Sequence, residues 1–378
     1  MTKLSDYFYK KQEEIKEDLL TLTRAESPTP DKKLVDECGQ ELAKLFYDYL
    51  GLKPEVFKQD VQGDHLKFTV GNGGKRVLFL VHFDTVWDKG RIPIVEKEGK
   101  LYGPGVFDMK SGIIQALWAV KGLIDIEGGL DNLEIVFLCT SDEEIGSISS
   151  RSLIEQEAKT ADVVLVTEAP VHGSGALKTS RNGVGIYELI VKGHSSHAGS
   201  HHYDGISAIK EMAHQIIKLE GMTDYDVGTT VNIGIVEGGT RLNVVPDHAR
   251  ATIDFRVKTK EEGARMVKVV ENLQPLTEGA KMEVRGELNR PPMERTEATA
   301  KLFSYAKDAA KEIGFELKEA HIGGGSDGNF TAGLGIPTID GLGGYGDGAH
   351  AEHEHIDLDE LPKRTALIAH LLKNIAKE

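Results

Sequence analysis

Val77-Leu78-Phe79-Leu80-Val81-His82-Phe83-Asp84 is the stretch that decides the fold: an unbroken apolar run that ends in a histidine and an acid. An apolar run this short suits a strand covered on both faces, and such strands belong to parallel sheets flanked by helices. Two more runs of the kind follow, at 135–138 and 163–166. Helical patterns accompany them at 112–124 and 148–158. Upstream, residues 33–50 place Leu34, Cys38, Leu42, Leu45, Phe46 and Tyr49 on one helical face. The first 178 or so residues therefore predict an α/β layer with a mainly parallel sheet and helices on both faces.

The pattern changes from residue 186. Strand 187–192, helix 205–219, strands 230–236 and 250–257, helix 260–273 and strand 282–287 make the order β-α-β-β-α-β, a ferredoxin-like α+β unit. Asn289-Arg290-Pro291-Pro292 breaks it off. The α/β grammar then resumes with helix 298–313, strand 315–320, a glycine-rich loop, strand 337–340 and a helix near 360–375. The expected organisation is one α/β domain (1–180 and 291–378) interrupted by a smaller inserted domain (181–290).

Forty-five Lys and Arg stand against 60 Asp and Glu, a formal charge of −15. Nucleic acid and anionic membrane surfaces both call for a basic footprint, so neither is an expected partner. The segment 1–22 mixes charged with apolar residues and lacks a signal core, and no apolar run is long enough to span a bilayer. Cys38 and Cys139 read as small buried hydrophobes rather than a disulfide or a thiolate metal site. A cytoplasmic location is the expectation.

Each apolar strand runs into ligand-type residues: His82 and Asp84 after the first, Asp142-Glu143-Glu144 after the second, Glu168 after the third. In open parallel sheets the carboxyl ends of the strands line the ligand crevice, so these groups converge at one rim. Asp108 sits in a glycine-rich turn before a helix, and His350 lies beyond the last expected strand. Taken singly, each reads equally well as a helix cap or a solvated turn residue. Taken together, they are carboxylates that repel one another unless cations neutralise them. Two histidines with several carboxylates form a donor set for zinc, with manganese or cobalt as alternatives.

These motifs resemble the co-catalytic zinc peptidases and deacylases, a family that includes bacterial glutamate carboxypeptidase, acetylornithine deacetylase, succinyl-diaminopimelate desuccinylase and aminoacylase. The resemblance rests on His82-Phe83-Asp84-Thr85-Val86, Gly103-Pro104-Gly105 through Asp108-Met109-Lys110-Ser111-Gly112, and Asp142-Glu143-Glu144. It continues through Ser196-His197-Ala198-Gly199, residues 239–246, Gly323-Gly324-Gly325-Ser326-Asp327, and His350 with Glu354. Glutamate carboxypeptidase looks most similar.

The resemblance implies two zinc ions per subunit, with Asp108 bridging them, His82 and Glu168 completing one site, and Glu144 and His350 the other. His353 is the alternative to His350. Asp84 would orient His82 through its second ring nitrogen, and Glu143 would act as general base. A cis peptide is expected at Asp108–Met109. His197 would reach from the inserted domain into the neighbouring subunit of a homodimer to steady the oxyanion, whereas His194, His201 and His202 read as exposed loop residues. Arg290, Asn243 and Gly325 would meet the substrate, Arg290 through its α-carboxylate. Arg256 reads as a structural ion pair that could also contact substrate. Ser200-His201-His202-Tyr203-Asp204 departs from the family's usual Pro-Glu and Asn-Ala, and His355 stands where an aromatic or apolar residue is common. These departures leave the ligand set intact but loosen substrate identity.

The function implied is cleavage of an amide beside a free carboxylate, on a small peptide or an N-acyl amino acid. Glutamate-carboxypeptidase-like peptidase and N-acyl amino acid deacylase are the two hydrolase readings. A non-catalytic peptide- or metal-binding relative is the reading of another class, and its signature would be loss of Glu143 or of a ligand. A nucleotide site at 323–325 lacks a phosphate-loop lysine.

Overall fold

Alternate residues of the central strands enter two different cores, which is why these runs carry no polar positions. Val77, Phe79, Val81, Ile135, Phe137 and Cys139 pack into one core with helix Ser111–Glu127 and the last helix, Leu361–Ala376. Leu78, Leu80, Val136, Leu138, Val164 and Val166 pack into the other, with Leu153, Ile154 and Phe330. A strand buried on both faces has no solvent side to alternate with. The computed structural model describes residues 2–378.

Two compact units are present: Met1–Ser180 with Arg295–His321 and Ser326–Glu378, and Arg181–Glu294 with Ile322–Gly325. The first holds a six-stranded sheet in the order Glu55–Phe57, His65–Gly71, Leu133–Thr140, Lys75–His82, Val163–Val166, Thr338–Ile339. Its last four strands are mutually parallel, and the first two are antiparallel additions at one edge. Phe79 stacks on Phe137 with ring centroids 5.0 Å apart, and Phe46 caps Phe137 edge-on at 4.8 Å. The fold is the mainly parallel α/β layer that the apolar runs predict.

The second unit has the order Gly183–Lys192, Ala208–Glu220, Thr230–Gly238, His248–Val257, Lys260–Glu271, Lys281–Arg290, with all four strands antiparallel in one sheet. Both helices are capped by hydroxyls, Ser207 accepting the N–H of Lys210 and Thr259 that of Glu262. This is the ferredoxin-like arrangement.

Three local differences have physical reasons. The charged and apolar residues between 3 and 24 are amphipathic and form helices Lys3–Lys10 and Gln12–Arg24, which bury Leu4, Phe8, Ile15 and Leu19. The strand expected at 315–320 begins only at Glu319, because Gly314 adopts φ 93° and Phe315 N–H bonds the Ala310 carbonyl, so Phe315 closes the preceding helix. A small four-stranded sheet formed by Val95–Lys97, Lys100–Tyr102, Gly346–Asp347 and His355–Asp357 has no counterpart in the sequence reading. Both cysteines are free and buried. Among the described residues, no helix is long and apolar enough to cross a membrane.

Candidate metal centre

Strand Lys75–His82 delivers His82 at its last position, in parallel register with Thr140, the last residue of Leu133–Thr140. Glu143 and Glu144 follow Thr140 in a short 3-10 turn, and Glu168 stands just beyond Val163–Val166. Helix Ser111–Glu127 starts against this rim, and Gly112 is what allows it: a Cβ there would lie 1.8 Å from the Thr167 carbonyl oxygen. The peptide Asp108–Met109 is cis.

The five expected ligands fall into two sets joined by Asp108. His82 Nε2 lies 3.4 Å from Asp108 Oδ1 and 3.3 Å from Glu168 Oε1. His350 Nε2 lies 3.4 Å from Asp108 Oδ2 and 3.1 Å from Glu144 Oε2. One ligand atom each of His82, Asp108 and Glu144 falls within 4.8 Å of the others. His353 instead faces Asp347 at 3.9 Å, and His355 Nε2 meets Lys100 Nζ at 2.8 Å, so neither joins the cluster.

Whether this donor set fits a metal is decided at His82. Its Nδ1 lies 3.1 Å from the Asp84 backbone carbonyl and 3.4 Å from Asp84 Oδ1. An N–H at Nδ1 donates there, which leaves Nε2 as a bare lone pair. That Nε2 is buried, makes no hydrogen bond, and faces two carboxylate oxygens. Lone pair against carboxylate is repulsive unless a proton or a metal cation lies between, and the raised pKa of His82 reflects the proton standing in the metal's place. Metal–ligand arms of about 2.0–2.1 Å set tetrahedrally have edges of about 3.3–3.4 Å, close to the separations found here. The residues fit a divalent metal in each set.

Electrostatics agree with the geometry. Burial pushes Glu144 up to about 8 and Glu168 up to about 7, each raised further by the charge of Asp108. Burial would also raise Asp108, but His350 and His82 hold it well below its ordinary value. Burial works against a charged His82, yet Asp108, Asp84 and Glu168 lift it well above 6.5, and hydrogen bonds to Asp108 and Glu144 lift His350 to about 10. Such opposed shifts mark carboxylates that share too little positive charge.

Three residues of the motifs support the cluster largely through main-chain groups. Asp84 accepts the backbone N–H groups of Glu143 and Glu144, each at 3.3 Å, and the Thr29 hydroxyl at 2.9 Å. Glu354, fully buried, accepts from Gly105 N (3.2 Å), Phe107 N (3.0 Å), Asp108 N (3.1 Å) and Trp87 Nε1 (2.6 Å). Lys110, also buried, donates to the carbonyls of Leu22 and Ala25 and so ties the Asp108 turn to the end of helix Gln12–Arg24. Carboxylates around a ligand are the groups that orient it.

The second unit carries the remaining expected residues. His197 is exposed, and its Nδ1 accepts the N–H groups of Gly199 and Ser200, both at 3.1 Å. That fixes the tautomer, with the ring proton on Nε2. The Asn243 carbonyl accepts the Ala198 N–H at 3.0 Å, so Asn243 and His197 are neighbours. Arg290 is buried, and Asn289 Oδ1 accepts from its Nη1 at 3.0 Å. Gly325 lies against it, for a Cβ there would stand 2.8 Å from Arg290 Cδ. Arg181, absent from the sequence reading, donates to the carbonyls of Gly324 and Gly325 at 3.0 and 3.2 Å. Arg256 forms a two-bonded pair with Asp254. His194, His201 and His202 are exposed.

Residues 78–374 match the model of peptidase family M20/M25/M40. Carboxypeptidase G2 of a Pseudomonas species (strain RS-16) is 32% identical over 323 residues, covering 83% of this chain and 78% of its own. Succinyl-diaminopimelate desuccinylase of Sulfurimonas denitrificans is 27% identical, covering 92% and 96%. Among solved structures, aminopeptidase PepT from Bacillus cereus superposes with a TM-score of 0.79 at 26% identity, covering 97% of this chain and 99% of that one. The fold is also that of an M20 family metallo-carboxypeptidase from Sulfolobus solfataricus, with a TM-score of 0.78 at 19% identity, covering 97% and 100%. Sheet, inserted unit and relatives agree, and the chain belongs to peptidase family M20/M25/M40, as a metal-dependent peptidase or amidohydrolase.

Proposed function

We propose that this protein is a di-zinc carboxypeptidase that releases a C-terminal glutamate or a similar residue from a small peptide or acyl conjugate. The observation that carries the reading is the division of Asp108, one oxygen toward His82 and the other toward His350. Two divalent cations held by His82, Asp108 and Glu168 and by His350, Asp108 and Glu144 would polarise the scissile carbonyl and bring the pKa of an attacking water to about 7.

This chain's own residues do the rest. Glu143 takes the proton from the attacking water and delivers it to the leaving nitrogen. Asp84 keeps the His82 ring in the tautomer that presents Nε2 and holds the Glu143–Glu144 turn from its main chain. His197 offers its Nε2–H to the developing oxyanion, across the interface of a homodimer. Arg290 pairs its planar donors with the substrate α-carboxylate, with Asn243 and the Gly325 backbone as further contacts. Support for the carboxylate end comes from the burial of Arg290 beside Gly325 and from similarity to carboxypeptidase G2.

Comparing an N-acyl-glutamate with its α-amide, for the wild type and Arg290→Ala, tests the reading. A charge-assisted hydrogen bond is worth about 1.5–3 kcal/mol, so the amide should lose roughly tenfold to several hundredfold in kcat/KM. Arg290→Ala should lose that discrimination. Equal wild-type rates on acid and amide would reject it. Deacylation of an N-acyl amino acid is the second reading, supported by the desuccinylase relative that spans nearly the whole chain.

A further inference from the structure

The turn that carries Glu143 and Glu144 is framed by a buried aspartate that touches the chain on both sides of it. Asp327 Oδ1 accepts the hydroxyl of Ser147, at the exit of the turn. Asp327 Oδ2 lies 3.5 Å from the hydroxyl of Thr140, the last residue of strand Leu133–Thr140. Asp327 and Ser147 are both buried. Ser147 sits at φ 58°, in the left-handed region that serine seldom occupies. It is held there by the Asp327 bond, by its own N–H to the Asp142 carbonyl (2.9 Å) and by the Arg151 N–H to its carbonyl (3.0 Å).

The frame is closed from inside and anchored from outside. Asp142 Oδ2 accepts Ser149 N (2.6 Å), Ser149 Oγ (2.7 Å) and Ser150 N (3.2 Å). His65 lies behind, with a ring nitrogen 3.0 Å from Ser141 Oγ and the other 3.0 Å from Ser149 Oγ. Asp327 is itself fixed through its neighbour, since Ser326 Oγ donates to Asp340 Oδ2 at 2.6 Å and Ser326 N to Asn329 Oδ1 at 3.0 Å. Burying a carboxylate is costly, so a position that only filled space would be apolar.

We propose that Asp327 and Ser147 are positioning residues that hold the Glu143–Glu144 turn in its working shape, an inference that rests on the reading of Glu143 as the base. Neither touches substrate. They act through the turn, where a misplacement of about 1 Å can cost on the order of a hundredfold in rate.

The experiment uses the metal-loaded full chain as wild type, Asp327→Asn and Ser147→Gly, with Glu143→Gln alongside. Glycine takes a positive φ freely, so Ser147→Gly removes the hydroxyl without straining the backbone. Both variants should keep their metals, lose roughly 10- to 100-fold in kcat and change KM by less than about threefold. Amide hydrogen exchange across 142–150 should quicken about tenfold or more, while strand Lys75–His82 exchanges as in the wild type. Unchanged exchange at 142–150 overturns the proposal, and so does faster exchange with kcat intact. Global unfolding in both variants, with kcat falling only as metal is lost, also overturns it by assigning the pair to stability alone. If Glu143→Gln keeps its turnover, the base reading fails separately, and the exchange rates still decide whether Asp327 holds the turn.

Discussion

The Glu354 carboxylate accepts the backbone N–H of Asp108 at 3.1 Å, so the residue shared by both histidine sets is held from its own main chain. The same carboxylate takes N–H groups from Gly105, Phe107 and Trp87. Every one of these groups is a donor. In Glu354→Gln an amide –NH2 would face one of them, and one acceptor oxygen would be lost. Metal affinity should fall about 10- to 100-fold, as for other partners that orient ligands, with the global fold retained. Competition against a chromophoric chelator measures it, and an unchanged affinity would mean that the turn holds without Glu354.

Metal loading should reach about two equivalents per chain, and chelation should lower the melting temperature, since a ligand bound only by the folded state stabilises it. Elemental analysis with paired thermal scans reads both quantities. Loading that stops at zero, or a melting temperature indifferent to chelator, would contradict the fit argued from His82 Nε2.

Glu143 and Glu144 are chain neighbours to which the proposed function gives separable roles. Glu143→Gln should keep both metals and lose on the order of 10²–10⁴ in kcat. Glu144→Gln should weaken the His350 set directly, because Glu144 Oε2 lies 3.1 Å from His350 Nε2. Metal content and single-turnover rates, measured on both variants, tell the roles apart. Full activity in Glu143→Gln would remove it as the base.

The neutral ring of His197 should show the Nε2–H tautomer in nitrogen-15 spectra, because two main-chain N–H groups point at Nδ1. His197→Ala should lose about 10²–10³ in kcat. Mixed with Glu143→Gln chains under proven subunit exchange, it should recover part of the activity through hybrid dimers. No recovery would confine His197 to its own subunit or remove it from the reaction.

His370 gives a pH dependence away from the metal centre. Burial lowers it from 6.5, against the opposing pull of Glu312, whose Oε2 lies 2.8 Å from Nδ1. A histidine with a depressed folded pKa binds fewer protons than the unfolded chain does. Its contribution is therefore intact above about 6.5 and is lost as pH falls below that value. In chelated protein, the drop in melting temperature between pH 7.5 and 5.5 should be larger for the wild type than for His370→Gln. Equal drops would show that His370 charges without cost.

The candidate metal cluster was legible as a group: His82, Glu144 and Glu168 follow apolar runs, and although each alone reads as a cap or a turn residue, several such groups at one sheet rim do not. The sheet was legible too, since two-sided burial removes every polar letter from residues 77–81 and 135–138. What stayed hidden is what works through the main chain. Glu354 could be recognised as part of a motif, but its partners are mostly backbone N–H groups, which have no letter in a sequence. His82 was expected to lean on the Asp84 side chain, yet the shorter approach is to the Asp84 carbonyl, at 3.1 Å against 3.4 Å. The helices between 3 and 24 were obscured because their charged faces dilute the apolar period.

The parallel register that sets His82 beside Thr140 constrains how this chain can change in length. Side chains of a strand alternate faces with a period of two, so adding or removing one residue within 75–81 would turn His82 to the opposite face of the sheet. It would also exchange the residues that fill the two cores. The exposed loop at 88–91 has no such parity to keep, and insertions there lengthen only a surface segment. Relatives of this chain should therefore vary in length after Trp87 and keep an unbroken count from Lys75 to His82.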